Sequence, residues 1–274
     1  MKLIAKVLLT ILFLPLFLIF ILSVNVRFQL LNPIFWEKTL TSNNVYSELA
    51  SSITGNLENR MEAEGIPSSE GTMITDLITP ENLQELATKN IENILTFANG
   101  KATDLIVFIP INRIPKSSLP TSLGKFSEEM KLTDLLTTFN VPDVTDSQIK
   151  NISQVGKSSF ISFSVLLSLL LLDILGLYFL TTLGKRMVAP ALAFLLAGTV
   201  SVVLFHLGTV IKSSLIGDYL ASSNLGDVII GTVASPFVVE ILKVWRGFGI
   251  GAILLGILLL FVKRPNFARL KKAK

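Results

Sequence analysis

The sequence predicts a mainly α fold: a four-helix polytopic membrane protein with a mostly helical extracytoplasmic domain between spans one and two. Three observations carry this. The 274-residue chain is 50% hydrophobic with a mean hydropathy of +0.64. That is too high for an ordinary soluble domain and too low for a chain held wholly in lipid. Apolar runs recur at residues 7–24, 160–183, 187–211 and 247–262. The flanking charge alternates: segments 1–6, 184–187 and 263–274 hold Lys2, Lys6, Lys185, Arg186, Lys263, Arg264, Arg269, Lys271, Lys272 and Lys274 and no acid. Residues 25–157 hold 16 acids against 11 bases. Basic segments stay on the cytoplasmic side, so both termini are expected there.

Residues 1–24 read as the first span. Their apolar run covers 18 residues, longer than the apolar part of a typical signal peptide, and no Ala-x-Ala site follows. An uncleaved signal anchor is therefore favoured over a cleaved one. Pro15 is tolerated inside a membrane helix.

Residues 25–157 have the size of one small domain. Asn32-Pro33 opens a helix with proline at its first position. Residues 44–64 repeat Val45, Leu49, Ile53 and Leu57 at every fourth position and stop at Gly65, which is helical spacing. Residues 66–71 read as a linker. Thr79-Pro80-Glu81 starts another helix, with Leu83, Leu86, Ile91, Ile94 and Leu95 along one side and Asn99-Gly100 at its end. Residues 104–111 are the one good strand candidate, short and proline-interrupted, which points to an edge strand or an extended linker. Residues 117–120 and 140–142 punctuate a helix carrying Leu132, Leu135 and Leu136. A helix beginning at Asp146 is expected to run unbroken into the second span.

The chain is organised around that span. Residues 160–183 rise about 36 Å as a helix, enough to cross a hydrocarbon core of about 30 Å. The run carries one acid, Asp173, near its middle. A carboxylate at that depth costs roughly 2.5–3.5 kcal/mol on insertion scales, so it should face other helices. It reads either as interhelical glue or as a proton or ion relay. Glue is preferred, because one acid without an intramembrane base makes a thin relay.

Residues 187–211 form the third span. Ala191, Ala193, Ala197, Gly198 and Ser201 would let a neighbouring helix approach closely. Antiparallel helices match depth at about 1.5 Å per residue, which makes Thr199 the first candidate partner of Asp173. His206, the single histidine, sits about 10 Å further out on that count. It reads as an interfacial histidine rather than a switch. Residues 212–236 are expected to return on the outer side as a loop that an amphipathic helix on the outer surface or a partly re-entrant segment would fit. The last span, 247–262, is short, so its helix should begin near Pro236. Trp245 and Arg246 look like an interface anchor. Gly247, Gly251 and Gly256 make a helix-packing stripe, and Gly247-x-x-x-Gly251 has the spacing of a close-contact motif. Packing inside the monomer is preferred over a dimer face. The domain boundaries are therefore 1–24, 25–157, 158–262 and a basic cytoplasmic tail at 263–274.

Several chemistries are excluded or disfavoured. Without cysteine there is no disulfide framework and no thiolate chemistry, which fits a bacterial envelope better than an animal cell surface. One histidine excludes an all-histidine zinc site. The basic residues mark topology and anionic lipid rather than a nucleic-acid footprint. There is no phosphate loop, dinucleotide fingerprint, His-Glu-x-x-His or Gly-x-Ser-x-Gly motif. No metal, cofactor or catalytic residue is expected.

The layout places a large outer segment between spans one and two, a short basic inner turn at Gly184-Lys185-Arg186-Met187, and a smaller outer segment between spans three and four. In topology it resembles the FtsX/MacB-type permease subunits of ABC systems and the claudin-like four-helix proteins. The inner turn is far shorter than in the permease group, and the claudin Trp…Cys…Cys signature is absent. Asn32-Pro33-x-Phe35-Trp36 with Val45-Tyr46 resembles uncharacterised bacterial four-span membrane proteins. None of these resemblances implies site residues.

The preferred expectation is a non-enzymatic envelope protein that binds, senses or scaffolds through its outer domain. Its partners would be the lipid bilayer, a protein at the outer domain, or a second copy. The alternative is a transport component, a small permease or ABC-accessory subunit, using Asp173.

Overall fold

The computed structural model describes residues 2–65, 78–110, 127–138, 146–181, 186–220 and 224–261. Four of its helices are long and apolar enough to cross a membrane, over Leu3–Leu30, Ile149–Leu180, Val188–Lys212 and Gly226–Phe261. The chain is a multi-pass membrane protein of mainly α structure. It divides into two compact units.

The first unit comprises Met1–Asn25, Ile161–Val210 and Ile241–Lys274. It is built from α1 (Lys2–Val24), most of α7 (Val155–Leu180), the first part of α8 (Val188–Leu220) and the second part of α9 (Leu225–Phe261). In lipid there is no hydrophobic drive between spans, so association rests on shape and close contact. Two devices provide it. Phe13, Phe17 and Phe20 repeat along one face of α1 and are buried. Phe13 meets Phe194 of α8 edge-on at 5.0 Å, and Phe20 meets Phe163 of α7 at 5.5 Å and Phe248 of α9 at 6.0 Å. The second device is the small-residue face of α8, where Ala189, Ala191, Ala193, Ala197 and Ser201 are all buried. The opposite faces carry exposed leucine, isoleucine and phenylalanine, the surface that a bilayer would solvate.

The second unit comprises Val26–Phe160 and Ile211–Glu240. A π-helix over Asn25–Leu30 extends α1. In α2 (Pro33–Ser42), the Asn32 side chain accepts from the Ile34 amide at 3.1 Å, and proline takes the first position. Helix α3 (Val45–Glu64) stops at Gly65, whose φ of 68° is the left-handed conformation that glycine adopts without strain. Helix α4 (Pro80–Ala98) starts with the Thr79 hydroxyl accepting from the Asn82 amide at 3.2 Å. Strand β1 (Ile106–Phe108) pairs antiparallel with β2 (Glu129–Lys131), Val107 opposite Met130. The Asn90 side chain clamps this ribbon to α4: its amide donates to the Phe108 carbonyl at 2.8 Å, and its oxygen accepts from the Phe108 amide at 2.9 Å. Two short helices follow, α5 (Leu132–Thr138) and α6 (Asp146–Ile152).

The core of this unit joins Leu40, Val45 and Tyr46 to Phe237 of α9. Trp36 lies 4.4 Å from the Phe237 ring, and its indole N–H donates to the Leu30 carbonyl at 2.8 Å.

Three local expectations change. Residues 212–236 are helical on both sides of a short break rather than an open loop: α8 continues to Leu220 and α9 begins at Leu225. The apolar residues Val233 and Phe237 are drawn into the α2–α3–α4 core, and Asn224 caps the helix through the Gly226 amide at 2.9 Å. The last helix therefore starts before Pro236, which lies inside it. Its ring leaves one backbone carbonyl without a helical donor. Finally, the helix from Asp146 does not run unbroken into the second span. It ends at Ile152, and α7 restarts at Val155. The Ser153 hydroxyl donates to the Lys150 carbonyl at 2.7 Å, a local bond that competes with the helical ladder. The expected linker at 66–71, the punctuation at 117–120 and 140–142, most of the inner turn and the basic tail lie outside the described residues.

Candidate functional site

Asp173 lies three residues after Leu170 and four before Leu177, all three buried on one face of α7. Helical periodicity alone puts the acid on the packed stripe. Asp173 is 4% exposed, and neither carboxyl oxygen has a hydrogen-bond partner among the described residues. Buried polar groups in native folds are ordinarily paired, so this carboxyl is an acceptor with unused capacity. Chemically it could hold a proton, a cation or a donor from a ligand.

Thr199 is not its partner. Thr199 and His206 lie one heptad apart on the exposed face of α8, together with Leu192, Leu196 and Val203. The depth argument used rise and ignored rotation. Two residues beyond Thr199, a turn of about 200° brings Ser201 to the packed face, where it is fully buried. Its hydroxyl is spent on the Ala197 carbonyl at 2.8 Å. His206 stacks edge-on against Phe205 at 5.0 Å, and its carbonyl accepts from the Thr209 hydroxyl. The three expected polar residues therefore do not converge.

The glycine stripe divides in two. Gly256 packs on α8: a methyl group there would fall 2.9 Å from the Ala191 carbonyl oxygen. Gly247 and Gly251 have nothing within 4 Å of the corresponding point. They line an apolar groove of about 570 Å³ with Phe17, Phe248, Leu167 and Ile174. The close contact inside the chain falls instead on Gly249, against Gly198 and Ser201 of α8. Gly249 and Gly256 share a face at heptad spacing, whereas the four-residue motif points elsewhere. Reading the Gly198–Ser201 face of α8 against α9 was the signal that could have found Gly249.

A second, polar cavity lies in the second unit, lined in part by Arg27, Lys101 and Lys157. Sequence reasoning missed it, because its cations come from three separate stretches. No group of three or more His, Cys, Asp or Glu side chains is placed to hold a metal among the described residues. Comparison with known protein families, curated proteins and solved structures finds no match.

Proposed function

We propose that this chain is a non-enzymatic, multi-pass protein of a bacterial cell membrane whose second unit lies outside the cytoplasm and binds a protein partner. One observation carries the reading. Val26–Phe160 and Ile211–Glu240 form a single compact unit. With four crossings, these two segments fall on the same side of the bilayer, and the charge pattern makes that side the extracytoplasmic one. Helices α7, α8 and α9 each contribute residues to both units. A partner held by the second unit therefore acts on segments that are continuous with the spans.

The side is tested by labelling. The chain has no cysteine, so Ser51→Cys and Ser214→Cys each give a single thiol. Both should react with an impermeant reagent in intact cells. Protection of either one removes the extracytoplasmic assignment. The partner is tested by crosslinking in native membranes and mass spectrometry of the tagged full-length chain. Recovery of an outer-surface protein supports a binding or scaffold role, whereas recovery of a cytoplasmic ATPase or permease refutes it in favour of the next reading.

The unpartnered carboxyl of Asp173 favours a second reading, a transport component such as a small permease or ABC-accessory subunit. A buried acid that no described residue satisfies breaks a local rule, and such breaks concentrate at functional sites. Here Asp173→Asn should abolish a flux while expression stays intact. Unchanged flux in that variant would remove the relay.

A further inference from the structure

The polar cavity of the second unit has a volume of about 530 Å³. Its walls come from the residues that leave the first span, Arg27 to Pro33, from Asn99 and Lys101 at the end of α4, and from the start of α7. Among the described residues, Arg27, Lys101 and Lys157 share the lining with no acidic side chain. None of the three forms an ion pair among the described residues.

Arg27 is held in place without being neutralised. Its guanidinium donates to the Asn99 side-chain oxygen at 3.4 Å and lies 5.7 Å from the Phe160 ring centroid. Asn99 is fixed in turn, its amide donating to the Leu31 carbonyl at 3.2 Å and the Leu95 carbonyl at 2.7 Å. A planar fork of donors is thus oriented with its charge intact, the arrangement suited to a phosphate or carboxylate. Lys101 and Lys157 are exposed and can swing onto the same anion. Acids outnumber bases 16 to 11 over residues 25–157. Three like charges gathered in one cavity there repel each other unless an anion joins them.

The position fits a bilayer surface. From Phe160 to Leu180, α7 rises about 30 Å, the thickness of the hydrocarbon core. Phe160 then stands at its boundary, with Lys157 just beyond. Arg27 likewise follows the apolar run that ends at Val24. Two aromatic residues of the lining remain exposed: Phe28 is 54% and Phe160 56% accessible. Exposed aromatic residues beside cations are the composition of a membrane–water interface.

We propose that this cavity binds the phosphate of an anionic lipid head group, with Arg27 as the fixed donor and Lys101 and Lys157 as the adaptable ones. The exposed apolar rim favours a lipid over free phosphate as the source. The proposal stands whether the protein partner or the transport reading is correct.

The test uses the full-length chain in nanodiscs of phosphatidylcholine with a minor share of phosphatidylglycerol. The lipids retained after gentle extraction are counted by native mass spectrometry. Wild-type protein should retain phosphatidylglycerol well above its share of the disc. Lys101→Gln with Lys157→Gln should cut that enrichment about twenty-fivefold, since each surface cation contributes roughly a fivefold preference. Lys38→Gln, on α2 and outside the cavity, should leave it unchanged. Arg27→Lys keeps the charge but loses the fork, and should fall between wild type and the double variant. Helical circular dichroism confirms that each variant is folded. Absence of enrichment in wild type, or equal loss in Lys38→Gln, overturns the site. Displacement of the lipid by excess soluble glycerol phosphate at matched ionic strength overturns the lipid as the source.

Discussion

Replacing Gly198 by alanine tests the packing of the spans most directly. A methyl group there would lie 2.6 Å from the Gly249 carbonyl oxygen, 2.9 Å from the Ile253 amide nitrogen and 2.8 Å from Ile253 Cγ1. Two of these three are backbone atoms of α9, so no rotamer change relieves them. Real Cβ contacts essentially never fall below 3.0 Å, so α8 and α9 must part by a few tenths of an ångström at the crossing. The same interface includes Gly256 on Ala191 and Gly208 on Leu242, and these contacts loosen together. Overpacking of this kind costs about 1–3 kcal/mol. The gain from alanine over glycine inside a helix offsets about 0.5–1 kcal/mol of it. The net loss is about 1–2 kcal/mol. Gly247→Ala is the matched control, since nothing lies within 4 Å of its added methyl and only the helix gain remains. The two variants should differ by about 2 kcal/mol, roughly thirtyfold in the unfolding equilibrium. Reversible unfolding in mixed micelles, followed by far-UV circular dichroism, measures the difference. Equal stability of the two would refute the assignment of Gly198–Gly249 as the contact point. A change in oligomeric state confined to Gly247→Ala would instead make the open glycines a face between copies.

Three further outcomes follow from single sites. Burial pushes the Tyr46 phenol above its ordinary value of 10.0; Glu37 adds to this and the Thr88 hydroxyl partly offsets it. The native state therefore holds that proton more tightly than the unfolded chain. Its contribution is complete below about pH 10 and is lost as pH rises through the folded value. Tyr46→Phe should remove this alkaline loss, and it should be neutral or stabilising by up to about 1 kcal/mol at pH 7, because Thr88 lies close enough to act on the phenol electrostatically but neither hydroxyl has a hydrogen-bond partner of normal geometry among the described residues. Melting curves against pH check both parts, and an alkaline limb identical in the two proteins counts against the assignment. Gly156→Ala would set a methyl 2.6 Å from Asn99 Cα and 3.0 Å from the Ala98 carbonyl oxygen. Faster amide exchange around residues 95–100 and 153–158 is expected, at a cost of about 1–3 kcal/mol, and unchanged protection there would show that the joint is not pinned. Asp173→Leu removes a buried acceptor that no described residue satisfies, and should stabilise the fold by about 1–3 kcal/mol. Destabilisation in the same micelle assay would mean that a partner holds the carboxyl.

The sequence exposed whatever depends on neighbours in the chain. Asn32, Thr79 and Gly65 start and stop their helices as their local chemistry requires, and the apolar runs locate the spans because lipid demands length before anything else. What it hid depends on rotation and on distant partners. Thr199 has the depth of Asp173 but the wrong azimuth. Gly247 and Gly251 have the spacing of a contact motif but face a groove, while Gly249 makes the contact. Val233 looked like part of a return loop and Phe237 like the start of a span, because their burial partners, Leu40, Val45 and Tyr46, lie far back in the chain. The basic cavity was invisible for the same reason. Arg27 reads as a lone charge after a span, Lys101 as a residue past a helix end, and Lys157 as a flank of the next span. Each has an ordinary role when read alone. Only the folded second unit turns three unremarkable cations into one uncompensated anion site. Composition could not have revealed it, since the surrounding segment is net acidic. A patch against the local sign of charge is informative for that reason: the segment had acids to spare for neutralising it, and none of the described ones lines the cavity.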